Sequence, residues 1–175
     1  YYSKFNEYLE NEEISFLELS TNKQFNEILF DSNIHSWSTN NSEFGDKIMN
    51  KSNLMFIVED TNKNKFGCFV TTTINKYNDH HSDSNAFVFS LKSNGRINGM
   101  RKFNIANSSS GFHVDAKTNN NWLFLIGGGN DIRVNRKGVN GSYCNQHSFN
   151  YEGISNALCG EYYFTPKRIT AIQMK

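Results

Sequence analysis

From residue 53 onward, short apolar segments alternate with polar turns rich in Gly and Asn, the pattern of successive β-strands rather than long helices. Leu54-Met55-Phe56-Ile57-Val58 is a continuous apolar run, as expected of a central strand buried on both faces. Glu59 to Lys65 then predicts a hairpin loop, and Phe66 to Ile74 its partner strand. The polar stretch Asn75–Asn85, with His80-His81, reads as a mobile surface loop. Phe87, Phe89 and Leu91 alternate on one face of a further strand, and Lys102–Ile105 forms another. The clearest hairpin is Trp122–Ile126 and Asp131–Asn135, joined by Gly127-Gly128-Gly129-Asn130. Arg136 to about Asn156 reads as irregular. Two closing strands, Glu161–Phe164 and Arg168–Met174, are separated by Pro166, which has no N–H to give a ladder.

The N-terminal third differs. Phe5, Tyr8 and Leu9 share a helical spacing, and Ile14 to Leu17 continue the apolar packing. Thr21-Asn22-Lys23-Gln24 has the form of a capping box, with Phe25, Ile28 and Leu29 on one face beyond it, so a helix is predicted around Asn22–Phe30. Ser42 as N-cap, Glu43 in the first turn and the pair Phe44/Ile48 predict a second short helix over Ser42–Met49. Many short strands with peripheral helices imply a mainly β chain, a two-layer antiparallel β-sandwich flanked by N-terminal helices. Residues 1–27 are read as a helical leader packing on a sandwich domain of residues 28–175.

The hydrophobic share is only 37%, but 15 Phe, 8 Tyr and 2 Trp supply large buried areas, enough for one core in 175 residues. The formal net charge of +1 gives no global steering toward nucleic acid or an anionic membrane. Local basic groups remain: Lys92, Arg96, Arg101 and Lys102, then Arg133, Arg136 and Lys137. These are the candidate contacts if the chain binds nucleic acid, though solvated strand ends and turns are the simpler account. The cysteines Cys68, Cys144 and Cys159 are odd in number and no secretory segment is visible, which suggests reduced thiols in a cytosolic or nuclear compartment. No apolar run approaches the roughly 20 residues that span a bilayer. The chain begins at Tyr1 rather than Met, as a fragment of a longer protein would.

No complete catalytic motif is present. Gly127-Gly128-Gly129 lacks the Lys-Ser/Thr ending of a phosphate loop and reads as a turn needing positive φ. Cys144-x-x-His147 has metal-ligand spacing without a second pair to close a zinc site, so no metal and no cofactor is implied. Asp60-Thr61-Asn62 begins like a calcium loop, but Lys65 occupies the Gly position and Thr71 the bidentate Glu position, leaving a turn. A nucleophile, Cys144 or Ser142, would need His147, His113 or His35 brought to it by the fold. Cys144 is also the candidate redox thiol, against the simpler reading of a buried structural cysteine.

The ordered set of segments resembles the TLDc domain of eukaryotic oxidation-resistance proteins. The segment Ile28–Ser32 with Trp37 is similar to that family's opening, and Leu54–Asp60 with Phe66-Gly67-Cys68-Phe69 to its first hairpin. Phe87-Val88-Phe89 resembles its Phe-Leu-Phe strand, Phe124–Gly129 its glycine turn, and Gly141-Ser142-Tyr143-Cys144 with Ser148-Phe149 its Gly-x-Ser-x-x-Cys segment. The Asn-rich style is similar to expanded TLDc branches of amoeboid protists. The departures are Asn85 in place of an acidic residue, a longer spacing after Cys144, and Thr170-Ala171-Ile172 for the usual closing strand. The resemblance implies a β-sandwich whose motif residues (Phe66, Gly67, Phe87, Phe89, Gly127, Gly128, Gly129, Gly141, Ser142, Cys144) are mostly structural. It also implies a non-enzymatic protein-interaction role in the oxidative-stress response, with the vacuolar proton-pumping ATPase as partner. Recognition is assigned to loops 75–85 and 136–150. The alternatives are a stress-linked nucleic-acid-binding transcription regulator and a Cys-based antioxidant enzyme.

Overall fold

A computed structural model describes residues 4–107, 111–118 and 121–175; the first three residues of the leader lie outside them. Two antiparallel sheets face each other. The first runs β1 (Phe25–Asp31), β12 (Pro166–Met174), β2 (Leu54–Asp60), β3 (Lys65–Val70), β5 (Phe87–Lys92), β6 (Arg101–Asn104). The second runs β11 (Tyr163–Phe164), β10 (Ser142–Tyr143), β9 (Ile132–Asn135), β8 (Trp122–Ile126), β7 (Phe112–Val114), β4 (His80–His81). The expected sandwich is therefore present, with β2 central and buried as its apolar run requires.

Alternation distributes the side chains of each strand between two compartments. Phe56, Phe66, Val88 and Phe103 from the first sheet meet Phe112, Phe124, Ile126 and Val134 from the second in the main core. Its centre is aromatic: Phe56 stacks on Phe112 at 4.5 Å, and Phe44 stacks on Phe124 at 5.2 Å. Phe44 belongs to helix α2 (Phe44–Ile48), which inserts Phe44 and Ile48 into this core. Ser42 accepts a hydrogen bond from the Phe44 amide at 3.3 Å, but the helix is shorter than expected and its N-cap is Glu43, which makes no side-chain cap, in place of Ser42.

The other face of the first sheet forms a second core. Phe69, Phe87, Phe89 and Leu91 pack there under Phe5, Leu9, Ile14 and Leu17. The last two belong to helix α1 (Asn11–Thr21). Lys65 on β3 and Glu13 on α1 form a buried ion pair at 2.8 Å, which fixes the helix on the sheet.

Three local expectations are corrected. The predicted helix over Asn22–Phe30 is instead β1, which pairs antiparallel with β12 from Phe25↔Met174 to Asp31↔Thr170. Thr21 closes α1 rather than capping a new helix: its hydroxyl donates to Leu17 O at 2.9 Å, and Asn22 terminates the helix at φ 54°. The capping interaction lies further back, where Glu13 accepts from the Glu10 amide at 2.9 Å. A free edge on β12 outweighs the helical spacing of Phe25, Ile28 and Leu29, which bury equally well from a strand.

The stretch Asn75–Asn85 is not a mobile loop. His81 is buried and accepts amides from Asn75 and Lys76 at Nε2, with Nδ1 3.2 Å from Phe112 O. Asp83 accepts from Thr71 and Thr72. Pro166 does not separate two strands but begins β12 opposite Asp60, a position that requires no donated N–H.

Candidate functional site

Strand register places one row of side chains across all six strands of the second sheet. His80 faces His113, His113 faces Leu125, Leu125 faces Arg133, Arg133 faces Tyr143, and Tyr143 faces Tyr163. Their neighbours Phe112, Ile126, Ile132 and Phe164 point into the main core, so this row lies on the outer face. The Arg133 guanidinium lies 4.5 Å from the Trp122 ring centroid and 5.3 Å from that of Tyr143. Tyr143 stacks on Tyr162 at 5.0 Å, and Tyr162 meets Tyr163 edge-on at 4.8 Å. His113 continues the row, 6.5 Å from Trp122 and 5.1 Å from His80.

The result is an aromatic ladder with one cation set into it. Tyr162 and Tyr163 are 46% and 62% exposed, unusual for large apolar rings in this chain. Both helices of the described residues are committed elsewhere, α1 on the first sheet and α2 inside the sandwich. Arg133 donates from Nε to Asn135 at 3.1 Å and has no carboxylate in salt-bridge range among the described residues. Guanidinium–ring stacking orients its remaining donors while leaving them usable.

One end of the ladder covers a buried carboxylate. His113 Nε2 is 2.5 Å from Asp115 Oδ1, while Asp115 Oδ2 and His113 Nδ1 have no hydrogen-bond partner among the described residues. Burial raises the Asp115 pKa, against the opposing effects of His113, Arg136 and Arg133. Arg136 is itself buried and donates to Ala116 O at 2.7 Å.

Most of the sequence-predicted nucleic-acid residues are engaged with other segments of the chain. Lys92 pairs with Glu10 at 2.6 Å, and Arg101 with Glu152 at 3.0 Å. Arg96 binds the Asn156 and Leu158 carbonyls and the Asn64 side chain. Lys102 donates to Ser20 O and lies over the Phe87 ring. With Arg133 stacked and Arg136 buried, Lys137 is the exposed cation of the second group. The chain uses most of these charges to fasten its own segments.

The glycine turn is also occupied. Asp131 is fully buried and accepts from the Tyr151 hydroxyl at 2.7 Å and from the His147 and Ser148 amides at 2.9 Å. A Cβ on Gly127 (φ 88°) would lie 2.1 Å from Asp131 Oδ1, and one on Gly129 would lie 2.4 Å from His147 Cβ. The Gly128 amide donates to Ser148 Oγ at 2.7 Å, so the turn's donors are turned inward and not toward a ligand. Gly67 has a comparable packing role: a Cβ there would sit 1.9 Å from Phe56 O. Phe66 packs edge-on against Phe164, while Phe87 and Phe89 lie under the N-terminal segment. Gly141 takes φ 89° ahead of Ser142, whose hydroxyl accepts from the Asn135 amide at 2.9 Å.

No hydrogen bond joins the proposed nucleophiles to the imidazoles among the described residues. Ser142 faces Asn135, His113 faces Asp115, and His35 accepts from the Asp31 amide at 3.0 Å on the first sheet. His147 Nδ1 lies 3.3 Å from its neighbour Ser148 Oγ. Among the described residues no group of three His, Cys, Asp or Glu is placed to hold a metal ion. The Cys144 amide donates to Tyr162 O at 2.9 Å, and the Cys159 thiol donates to Glu161 O at 2.9 Å. Burial pushes the Cys144 pKa well up.

Sequence reading singled out Arg133 and Cys144 but not Trp122, Tyr143, Tyr162, Tyr163, Asp131 or Cys159. Exposed tyrosines beside Gly160-Glu161 were a usable signal; the row they belong to depends on register. Among the described residues no helix is long and apolar enough to cross a membrane. No curated protein gives a significant match to the chain. The family model for the TLDc domain matches residues 3–169, nearly the whole length, with the glycine turn, the Asp131 hub, the second sheet and all of the first sheet except the end of β12 inside the match. The chain belongs to the TLDc domain family.

Proposed function

We propose that this chain is a non-enzymatic protein-docking domain of the oxidative-stress response, acting in the cytosol through the outer face of its second sheet. Family membership supports the stress-related role in general terms. The observation that carries the docking reading is the ladder from His80 to Tyr163, with Arg133 held between Trp122 and Tyr143. Tyr162 and Tyr163 are exposed and Trp122, Tyr143 and Arg133 half-buried; Tyr, Trp and Arg are the types that dominate binding energy at protein interfaces, because rigid rings bury large areas at small entropic cost. The proposed partner is the vacuolar proton-pumping ATPase, the one the TLDc resemblance implies. The face would meet an acidic and apolar surface, with a carboxylate reaching the Arg133 donors.

The test is affinity purification of the tagged chain from its source cells, before and after peroxide, beside an Arg133→Gln/Tyr163→Ala variant. Recovery of proton-pump subunits by the parent chain and their loss from the variant is the expected result. Equal recovery by both would remove the ladder from the docking reading. Recovery of chromatin and DNA by both, with no pump subunit, would replace that reading with the nucleic-acid alternative.

A further inference from the structure

The sequence holds three Asn-Gly steps, Asn94-Gly95, Asn98-Gly99 and Asn140-Gly141, and the fold treats them differently. Asn94 and Gly95 form the centre of a tight turn, at φ 55° and 83°, which the Arg96 amide closes on Ser93 O at 3.2 Å. The Asn94 side chain is held as well: Nδ2 donates to Asn62 O at 2.9 Å and to Asn64 Oδ1 at 3.0 Å. Asn140 is pinned through its backbone, where its carbonyl accepts from Asn135 Nδ2 at 2.8 Å. Asn98 differs from both. It is exposed, as is Gly99, and among the described residues neither its side chain nor the Gly99 amide makes a hydrogen bond. Gly99 takes φ 73°, and a Cβ there would meet nothing within 4 Å. The step lies in the connection between β5 and β6, with Ile97 packed on the main core before it and Met100 on the second core after it.

We propose that Asn98 is a covalent modification site, where attack by the Gly99 backbone nitrogen expels the side-chain amide and leaves aspartate or isoaspartate. This modification goes beyond the docking reading and stands independently of it. The reaction needs a side-chain carbon free to approach the next amide, open space around that amide, and a glycine whose missing Cβ lets the backbone turn. Asn98 meets all three conditions, whereas the bonds on Asn94 Nδ2 hold its Cγ in place. In the first step a bond forms between Gly99 N and Asn98 Cγ, the Cγ–Nδ2 bond breaks, and ammonia leaves with the Gly99 amide proton. Water then adds to one carbonyl of the resulting succinimide, and the ring C–N bond at that carbon breaks. Opening at Cγ gives aspartate on an unchanged main chain. Opening at the Asn98 backbone carbonyl routes the chain through the side chain as isoaspartate, whose free α-carboxylate is a substrate for methyl transfer. One water is consumed, one ammonia is released, and nothing is oxidised or reduced.

The experiment incubates the full chain in mildly alkaline buffer, native and in urea, and follows its tryptic peptides by mass spectrometry. Cleavage after Lys92, Arg96, Arg101 and Lys137 places Asn94, Asn98 and Asn140 in separate peptides. In the native chain Asn98 should convert fastest of the three. Asn94 should lag it by about ten-fold or more, because two hydrogen bonds must break before its Cγ can move. In urea this ranking should collapse. The Asn98 product should include isoaspartate, read as methyl transfer from S-adenosylmethionine by an isoaspartyl methyltransferase, and Asn98→Ala should abolish that signal. Native conversion of Asn94 as fast as that of Asn98 would overturn the proposal, whether or not the Ala variant folds. The same ranking in urea would overturn it too, since the fold would then not set the site. A product at position 98 without isoaspartate would exclude the succinimide route and with it the proposal.

Discussion

On the first sheet, the outer face made by Phe69, Phe87, Phe89 and Leu91 lies under residues 5–17 of the same chain. On the second sheet, the outer face carries the exposed Tyr163 beside the half-buried Arg133 and Tyr143, with no helix over it among the described residues. The difference shows in the residue types. The covered face is aliphatic and phenylalanine-rich, and charge enters it as the buried pair Lys65–Glu13. The uncovered face uses Tyr, Trp, His and Arg, rings with polar tips that tolerate water yet lose little entropy when a partner arrives. A sandwich thus needs only one outer face sealed by its own chain; the other is free to carry recognition.

Breaking the seal should produce the largest effect. Lys65→Met leaves Glu13 buried without its cation and should destabilise the fold by roughly 3–5 kcal/mol in urea unfolding. The Glu13→Leu/Lys65→Met double variant should recover most of that loss, because an apolar pair satisfies the same space. If the double variant is as weak as the single, the ion pair is not what holds α1 to the sheet.

Asp131→Asn comes next, acting on the second sheet from within. It removes a charged acceptor from the Tyr151 hydroxyl and two amides, and should cost about 2–3 kcal/mol. Thermal unfolding would measure it, and a cost well below 1 kcal/mol would demote this hub.

The acid limb separates the two sheets further. Burial acts to raise the pKa of Asp31 on β1, but its hydrogen bonds with Arg168 hold it below the ordinary 3.8. The folded chain therefore binds this proton more weakly than the unfolded chain does. Its contribution is full above about pH 4 and is lost as pH falls through the depressed value. Asp115, beside β7, is raised by burial, so its contribution has the opposite sign: it is full below about pH 4 and lost as pH rises through the raised value. Arg168→Met should flatten the loss of stability below pH 4, whereas Asp115→Asn should remove the destabilisation on raising pH above it. Urea midpoints measured across pH 2–6 would distinguish them, and identical profiles for both variants would contradict the assignment.

The smallest stability effect belongs to the ladder. Arg133→Gln and Tyr163→Ala should each shift stability by less than about 1 kcal/mol, as exposed substitutions do. A larger loss would identify the ladder as part of the fold's own support and not as a spare surface.

How much of this was legible in the sequence varies by element. The β2–β3 hairpin and the Trp122–Asn135 hairpin were readable because apolar runs and a positive-φ turn are local signals. Strand β1 was misread, since Phe25, Ile28 and Leu29 satisfy a helical spacing and β12, which settles the matter, lies more than 130 residues away. Three of the four shortest strands, β4, β7 and β10, have two or three residues each and too little periodicity to register. Among candidate site residues, Cys144 was visible from its motif, but the place of Cys159 beside Tyr162 O came only with the fold.

The amino-acid order by itself determined that the chain forms a sandwich, which turns close it and which family it joins, because those depend on alternation and on glycine at fixed places. Only the tertiary structure decided that most of the basic residues fasten internal segments, that the remote Cys144 and Cys159 both reach Tyr162 O, and that one outer face is sealed while the other carries a ladder. These outcomes depend on cross-strand register and on which segments fold back over which sheet, and neither is encoded within any single stretch of chain.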